Sequence, residues 1–465
     1  MSLDAYINAL DYDPDTIMVN NSEISEYKAE DGKMDSDGTF TLIRKKQKTV
    51  ADSTADLAYL SSLSARIFPG AMLLCNKRLV ENNPSIVNLN TKPVKFSIDL
   101  PGVDTSFEVD SISKASIDTA IGEKVAQWQQ ANPDGNIVAK VKHSLYEVKN
   151  KHKLEVDLGF KLSAVGNSFD IDFNAIEKGD SREWILKFEQ IYYNVTLDNF
   201  RNPSSIIADS ENADSIKKTG VNNENPIGIV NNVSYGRVIY VHFKTKNLEF
   251  DINGKINLLF AKEDSLNASQ KLTLERVKGE VSAKVFIYGG GTSAFKTIPE
   301  ISIDSIYKFI EQGYNFCLEQ LAAPIGYSVV FMKNGGQDMA TVNSSTTYIE
   351  TTITRHVSSK LRITHAGAFV NVFKITWNEI FYDDDIDQPR IVPMAWERNS
   401  KDSLVGQSFD LFFSGNVRDL HIVSKGYTGV IWDKTRTNFS GYVDIKPDMT
   451  LRLSGTTLNQ RAELL

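Results

Sequence analysis

Six histidines, two cysteines and an acidic cluster are the residues of this chain whose types could do chemistry. Zinc sites need His, Cys or Glu at short fixed spacings, and His143, His152, His242, His356, His365 and His421 are scattered without such a pattern. Asp383, Asp385 and Asp387 have the spacing that opens a calcium loop, but the glycine position holds Gln388 and the bidentate-acid position holds Met394. A solvated acidic loop is the better reading. Gly289-Gly290-Gly291 follows a strand-like run yet lacks the G-x-G-x-x-G frame and helical continuation that cradle a phosphate, so these glycines mark a bend or a close backbone contact. No Ser/His/Asp or Cys/His constellation announces itself, and neither an enzyme, a metal nor a cofactor is indicated. Cys75 and Cys317 stand far apart, each inside an apolar run, which favours buried free thiols over a disulfide.

The informative pattern is elsewhere. Leu154, Val156, Leu158, Phe160, Leu162 and Ala164 alternate with Glu155, Asp157, Gly159, Lys161 and Ser163; after Val165-Gly166-Asn167-Ser168 the parity flips, and Phe169, Ile171, Phe173 and Ala175 alternate with Asp170, Asp172 and Asn174. A second tract runs through Leu248, Phe250, Ile252, Ile256, Leu258 and Phe260 and returns through Val281, Ala283, Val285 and Ile287. A period of two is the mark of a strand with one apolar and one wet face. Two structures fit it: a half-buried strand of an ordinary antiparallel sheet or a transmembrane β-hairpin. Length favours the second, because Leu154 to Ala164 extended spans about 36 Å, and about 9–11 residues tilted near 45° cross the hydrocarbon layer. Wound into a helix, the same residues are smeared around the axis instead of forming a stripe.

The elements that must carry these tracts follow from the rest of the chain. At 465 residues the protein exceeds one core, and two to four domains are expected. Its net charge of −8 argues against nucleic acid and against general attraction to anionic membranes. No run of about 18 apolar residues forms a transmembrane helix. The first residues, Met1-Ser2-Leu3-Asp4-Ala5-Tyr6, lack signal-peptide character, which leaves a cytosolic protein or the mature form of a secreted one.

Helical spacing appears at Ile117, Ala120, Ile121, Val125 and Trp128, closed by Asn132-Pro133-Asp134-Gly135. A second helix is predicted through Ile303, Ile306, Tyr307, Ile310, Tyr314, Cys317, Leu318 and Leu321, ended by Pro324 and Gly326. Thr39 to Leu42 reads as a strand with Arg44-Lys45-Lys46-Gln47-Lys48 at its solvated end. Val238 to Phe243 leads straight into the second alternating tract, which predicts one continuous sheet holding both. From about Ser358 onward, short strands between polar turns indicate a β-sandwich.

The chain also resembles the cholesterol-dependent, or thiol-activated, cytolysins. Similar stretches occur in colinear order at Phe68-Pro69-Gly70-Ala71, Val80-Glu81-Asn82, Ile98-Asp99-Leu100-Pro101-Gly102, Asp172-Phe173-Asn174-Ala175 and Ser234-Tyr235-Gly236-Arg237-Val238-Ile239-Tyr240-Val241. Others are Tyr348-Ile349-Glu350-Thr351-Thr352, His365-Ala366-Gly367-Ala368-Phe369-Val370, Ile375-Thr376-Trp377-Asn378-Glu379 and Gly455-Thr456-Thr457-Leu458. The resemblance implies an α+β, elongated multidomain pore-forming toxin fold. It has a central bent antiparallel sheet flanked by helical bundles and a C-terminal β-sandwich. The implied domains are 4–19, 55–143, 194–239 and 315–340 (a discontinuous N-terminal part), 20–54 and 341–357 (a linking β part), 144–193 and 240–314 (the membrane hairpins), and 358–465 (the membrane-binding sandwich).

In the family each bundle unfurls into an amphipathic hairpin; here the hairpins fall on about Leu154–Trp184 and Leu248–Ile287, which are the alternating tracts. Gly289 and Gly290 match the glycine pair at which a covering strand swings away. The family's undecapeptide E-C-T-G-L-A-W-E-W-W-R corresponds to Gly426-Tyr427-Thr428-Gly429-Val430-Ile431-Trp432-Asp433-Lys434-Thr435-Arg436. Thr428, Gly429, Trp432 and Arg436 persist, whereas Tyr427 replaces the cysteine and Lys434 and Thr435 replace two tryptophans, a loss that should weaken interfacial insertion. Thr457 and Leu458 match the cholesterol-contacting pair, and Ala368 and Val405 match apolar loop tips. The implied function is a secreted cytolysin that binds a target membrane, with cholesterol as a candidate receptor, and oligomerises on it. The alternative is a non-lytic or partner-dependent relative that recognises another lipid, a glycan or a protein.

Overall fold

The computed structural model describes residues 1–22, 27–63, 65–133, 137–165, 169–248, 250–261, 263–289, 296–316, 322–383, 388–399, 406–431 and 434–465. The chain forms two compact units, one of residues 1–24 and 47–349, the other of residues 25–46 and 350–465. Strands Phe40–Thr54 and Val342–His356, neighbours in a three-stranded sheet with Glu30–Met34, each contribute to both units. The basic run Arg44 to Lys48 therefore lies inside a strand that continues to Thr54, not at a strand end.

Two long strands organise the first unit: Arg182–Leu197 and Ile227–Thr245, antiparallel over most of their length. Each changes its other neighbour part-way. Ile227–Thr245 pairs with Ala323–Phe331 over its first half and with Ser282–Gly289 over its second, and Arg182–Leu197 passes from Lys140–Glu147 to Val94–Ile98. The pairing of the two long strands slips at Tyr235/Gly236. A side chain at Gly236 would put its Cβ 2.0 Å from the Gln190 carbonyl oxygen, so the strands approach closely there because Gly236 has none. Beyond Ser282–Gly289 the sheet edge is covered by Lys296–Ile301.

Strand alternation sends side chains of this sheet to two opposite cores. Ile185, Val238, Tyr240, Phe286 and Tyr288 join a large core with the helix Lys114–Ala131. Trp184, Leu186, Phe188, Ile239, Val241, Phe243, Ala283, Val285 and Ile287 face a separate one.

Several sequence expectations need correction. Leu154–Ala164, strand-like in its pattern, is folded as the helix Lys151–Leu158 and a 3₁₀ turn, Leu162–Val165. Within Leu248–Phe260 the described residues form turns and the 3₁₀ helix Ile256–Phe260, so of the second tract only the return through Ala283, Val285 and Ile287 lies in the sheet. The second predicted helix is Ile303–Gln312 and stops at Gly313, while Pro324 and Gly326 lie in the strand Ala323–Phe331. Pro324 is tolerated there because it sits at a register shift opposite Tyr235. Cys317, Leu318 and Leu321 lie outside the described residues, as do Asp385 and Asp387.

The second unit contains a β-sandwich. One sheet has the order Ser408–Phe413, Ser359–His365, Asp448–Thr456, Asn459–Leu464; the other Arg390–Arg398, Asn371–Phe381, Val417–Tyr427, Thr435–Tyr442. Leu361, Ile363, Phe373, Ile375, Leu420, Ile422, Leu451 and Leu453 fill the space between them.

Candidate membrane-inserting segments and binding end

The first tract packs on one face of the central sheet, the second on the other. Asn150 caps the helix Lys151–Leu158 by accepting from the Lys153 amide at 2.8 Å, and Gly159 ends it in the left-handed region at φ 77°. Leu154 and Leu158, one turn apart, share the face turned to the core. That is how a period-two sequence packs as a helix: every second apolar residue of the alternation serves. Val156 falls off that face and lines a cavity of about 280 Å³, together with Asp52, Asp56, Asp157, Lys187 and Glu189. Phe160 and Phe169 are buried, and both meet the ring of Tyr240 edge-on, with centroids 5.9 and 5.7 Å away. Leu162, Ile171 and Phe173 are half-buried against the same core.

Polar contacts fix this tract too. Lys153 pairs with Asp157 along the helix, and Asp170 holds Lys284 of the strand Ser282–Gly289 at 2.8 Å, which keeps its carboxyl below the usual range. Nearby, buried Glu183 accepts from His242 Nε2 at 2.8 Å and from Lys244 Nζ at 2.9 Å. The six histidines are thus structural where their contacts are seen: His143 packs against Phe188 and Phe260, and His365 against Phe369.

The second tract buries Phe250, Ile252, Ile256, Leu259, Leu274, Val277 and Val281 against the other face, with Val285 beneath them and Ile306 and Ile310 beside them. Its helix, Ala268–Glu280, starts with a capping box between Asn267 and Gln270. Gly289 ends the strand Ser282–Gly289 at φ 88°, where a Cβ would lie 2.5 Å from the Gly236 carbonyl oxygen. Gly290 lies outside the described residues.

At one end of the sandwich three loops meet. Thr457 and Leu458 form the two-residue turn between Asp448–Thr456 and Asn459–Leu464. The Thr457 hydroxyl donates to the Ala368 carbonyl at 3.3 Å, and Arg436 Nη1 donates to the Leu458 carbonyl at 3.3 Å. Thr428 is buried and accepts from the Val430 amide at 3.2 Å, while Gly429 takes φ 76°. Gln460 ties the loops together, donating to the carbonyls of both Tyr427 and Thr457 at 3.1 and 3.0 Å. No sequence signal marks Gln460; its role follows from the register that places it beside Gly426, where any Cβ would clash with it. Ile431 is 85% exposed and Leu458 66% exposed, so the joined loops carry apolar side chains into solvent. Val405 and Trp432 lie outside the described residues.

Residues 2–356 match the model of the thiol-activated cytolysins, and residues 360–461 match that of the thiol-activated cytolysin beta sandwich domain. The chain belongs to the thiol-activated cytolysins. Tetanolysin of Clostridium tetani is 30% identical over 99% of this chain and 87% of its own length. A solved structure of pneumolysin matches with a TM-score of 0.81 at 27% identity, covering 99% of this chain and 98% of that one. A disulfide-locked mutant of intermedilysin, solved with human CD59, matches with a TM-score of 0.76 at 27% identity, covering 100% and 98%. Free Cys75 of this cytolysin is buried, and burial pushes its thiol well up.

Proposed function

We propose that this cytolysin is a secreted pore-forming toxin that binds a target membrane through residues 358–465, assembles with further copies of itself, and inserts the tracts Leu154–Trp184 and Leu248–Ile287 as β-hairpins. The observation that carries this reading is the conflict between pattern and packing. Two tracts with strand periodicity are folded as short helices and turns on opposite faces of one sheet, each continuous with strands of that sheet. Extended in lipid, the same tracts turn apolar residues to the tails and acids to the lumen, and a closed barrel satisfies every backbone group. Gly289 and Gly290 act as the hinge of the covering strand. The polar-lined cavity beside Val156 supports release, because a helix bordered by such a cavity loses fewer apolar contacts on leaving.

The test is release of small and large dyes from cholesterol-containing and cholesterol-free liposomes, with electron microscopy scored for rings. Rings and release of both dyes are expected. Binding without either sinks the reading and favours a non-lytic, receptor-binding relative. Tyr427, Lys434 and Thr435 support a receptor other than cholesterol, which in this assay gives no release from either liposome but release from cells.

A further inference from the structure

The strand and helix that follow Gly289 have a second anchored end. Gln190 Nε2 donates to the Ile310 carbonyl at 2.7 Å, and the Tyr192 hydroxyl donates to the Gly313 carbonyl at 3.0 Å. Both carbonyls belong to the last turn and cap of the helix Ile303–Gln312, where that of Ile310 also accepts from the Gly313 amide at 3.1 Å. Gly313 is pressed so close that a Cβ would lie 2.1 Å from Gln190 Oε1 and 2.7 Å from Arg237 Nη1. At the other end, a Cβ on Gly289 would lie 2.5 Å from the Gly236 carbonyl oxygen and 3.0 Å from Arg237 Cα. Glycines at both ends of residues 289–313 thus rest on one dipeptide, Gly236-Arg237.

We propose that Gly313 is the second pivot of the segment that begins at Gly289, and that Gln190 and Tyr192 are the positioning residues that latch it shut. The proposal rests on the pore-forming reading for its purpose, but not for its geometry. Two pivots on a common seat let the strand Lys296–Ile301 and the helix Ile303–Gln312 leave as one piece. Ile306 and Ile310 of that helix are fully buried among Leu274, Val277 and Ile256 of the second tract, so its departure also strips that tract of its cover. Opening the sheet edge and loosening the second tract become a single event.

Arg237 opposes the latch. Its side chain is 6% exposed, burial lowers its pKa, and its Nε has no hydrogen-bond partner among the described residues. Burial disfavours this charge, which regains water when the helix leaves. Hydrogen bonds therefore hold the segment closed over a guanidinium that favours opening.

Hydrogen exchange of the whole protein in solution, without membranes, tests this. Tyr192→Phe and Gln190→Leu each should speed amide exchange in residues 303–312 about fivefold, the worth of one hydrogen bond, while leaving residues 94–98 and 359–365 unchanged. Arg237→Met should slow it, and Arg237→Lys should keep the wild-type rate. A residue with only a packing role gives no such opposite signs. Unchanged exchange in Tyr192→Phe and Gln190→Leu, exchange raised everywhere alike, or faster exchange in Arg237→Met overturns the latch. Because no membrane is present, a wild-type protein that binds membranes without rings or dye release would sink the pore-forming reading and leave this result standing.

Discussion

Phe169 meets Tyr240 edge-on, ring centroids 5.7 Å apart and planes at 90°. Phe160, on the other side of the 3₁₀ turn, meets the same ring at 83°. One tyrosine of the central sheet therefore pins both halves of the first alternating tract. Such pairs contribute about 0.5–1.5 kcal/mol each beyond their buried area. Tyr240→Leu should loosen the tract, raising limited proteolysis at residues 151–178 about fivefold or more, with the sandwich uncut.

A covalent tether asks the reverse question. A Cβ on Gly159 would stand 3.5 Å from the Ala58 Cβ, inside the range of a disulfide. The double substitution Ala58→Cys, Gly159→Cys should bind membranes but release no dye when oxidised, and regain release in reductant. Buried Cys75 will not compete. Full release from the oxidised protein would remove the first hairpin from the mechanism.

Parity offers a sharper discrimination. Val156 is half-buried beside a cavity, so a lysine there leaves the folded monomer intact, yet in a hairpin it faces lipid. A lysine near the bilayer midplane costs about 2–4 kcal/mol. Val156→Lys should bind and form rings while dye release falls at least tenfold, whereas Lys161→Gln, on the wet parity, should behave as wild type.

The Leu458 side chain projects into solvent from the tip of its turn. Leu458→Asp should leave the melting temperature unchanged while weakening liposome flotation about tenfold or more, as expected when an apolar side chain that enters the interface becomes charged. The loop-joining Gln460 should act differently: Gln460→Ala loses three hydrogen bonds, to Tyr427, Thr457 and, at 3.5 Å, Asn438, lowers stability by about 1–2 kcal/mol, and weakens binding less.

Glu183 gives a pH dependence of known sign. Burial raises its carboxyl, but hydrogen bonds from His242 and Lys244 outweigh burial and hold it below 4.5. A depressed folded value means stability present above the unfolded value and lost as pH falls through the folded one. The contribution is therefore constant above about pH 5 and disappears below 4.5. Glu183→Gln should lower unfolding stability by about 1–3 kcal/mol at neutral pH, because His242 and Lys244 exchange a charged acceptor for a neutral one. Denaturant midpoints measured across pH check both statements.

The helix Lys114–Ala131 was legible because Ile117, Ile121 and Trp128 recur at helical spacing and Asn132-Pro133 stops it. The sandwich was legible from short strands between polar turns. Helix Ile303–Gln312 was legible in type but not in extent: Tyr314, Cys317, Leu318 and Leu321 keep helical spacing past Gly313, yet the chain turns into the strand Asn315–Phe316. At its end Gly313 lies so close to Gln190 and Arg237, residues distant in sequence, that no side chain fits there.

By itself the sequence determined the periods: two in the tracts at Leu154–Ala175 and Leu248–Ile287, and near four in the helices, since side-chain spacing along one chain fixes which faces a segment can offer. Only the tertiary structure decided which face is used. Leu154 and Leu158 reach the core as a helix because Tyr240 and its neighbours form a sheet that buries one turn's worth of apolar surface, and that helix packs on the face of the sheet instead of pairing in its ladder.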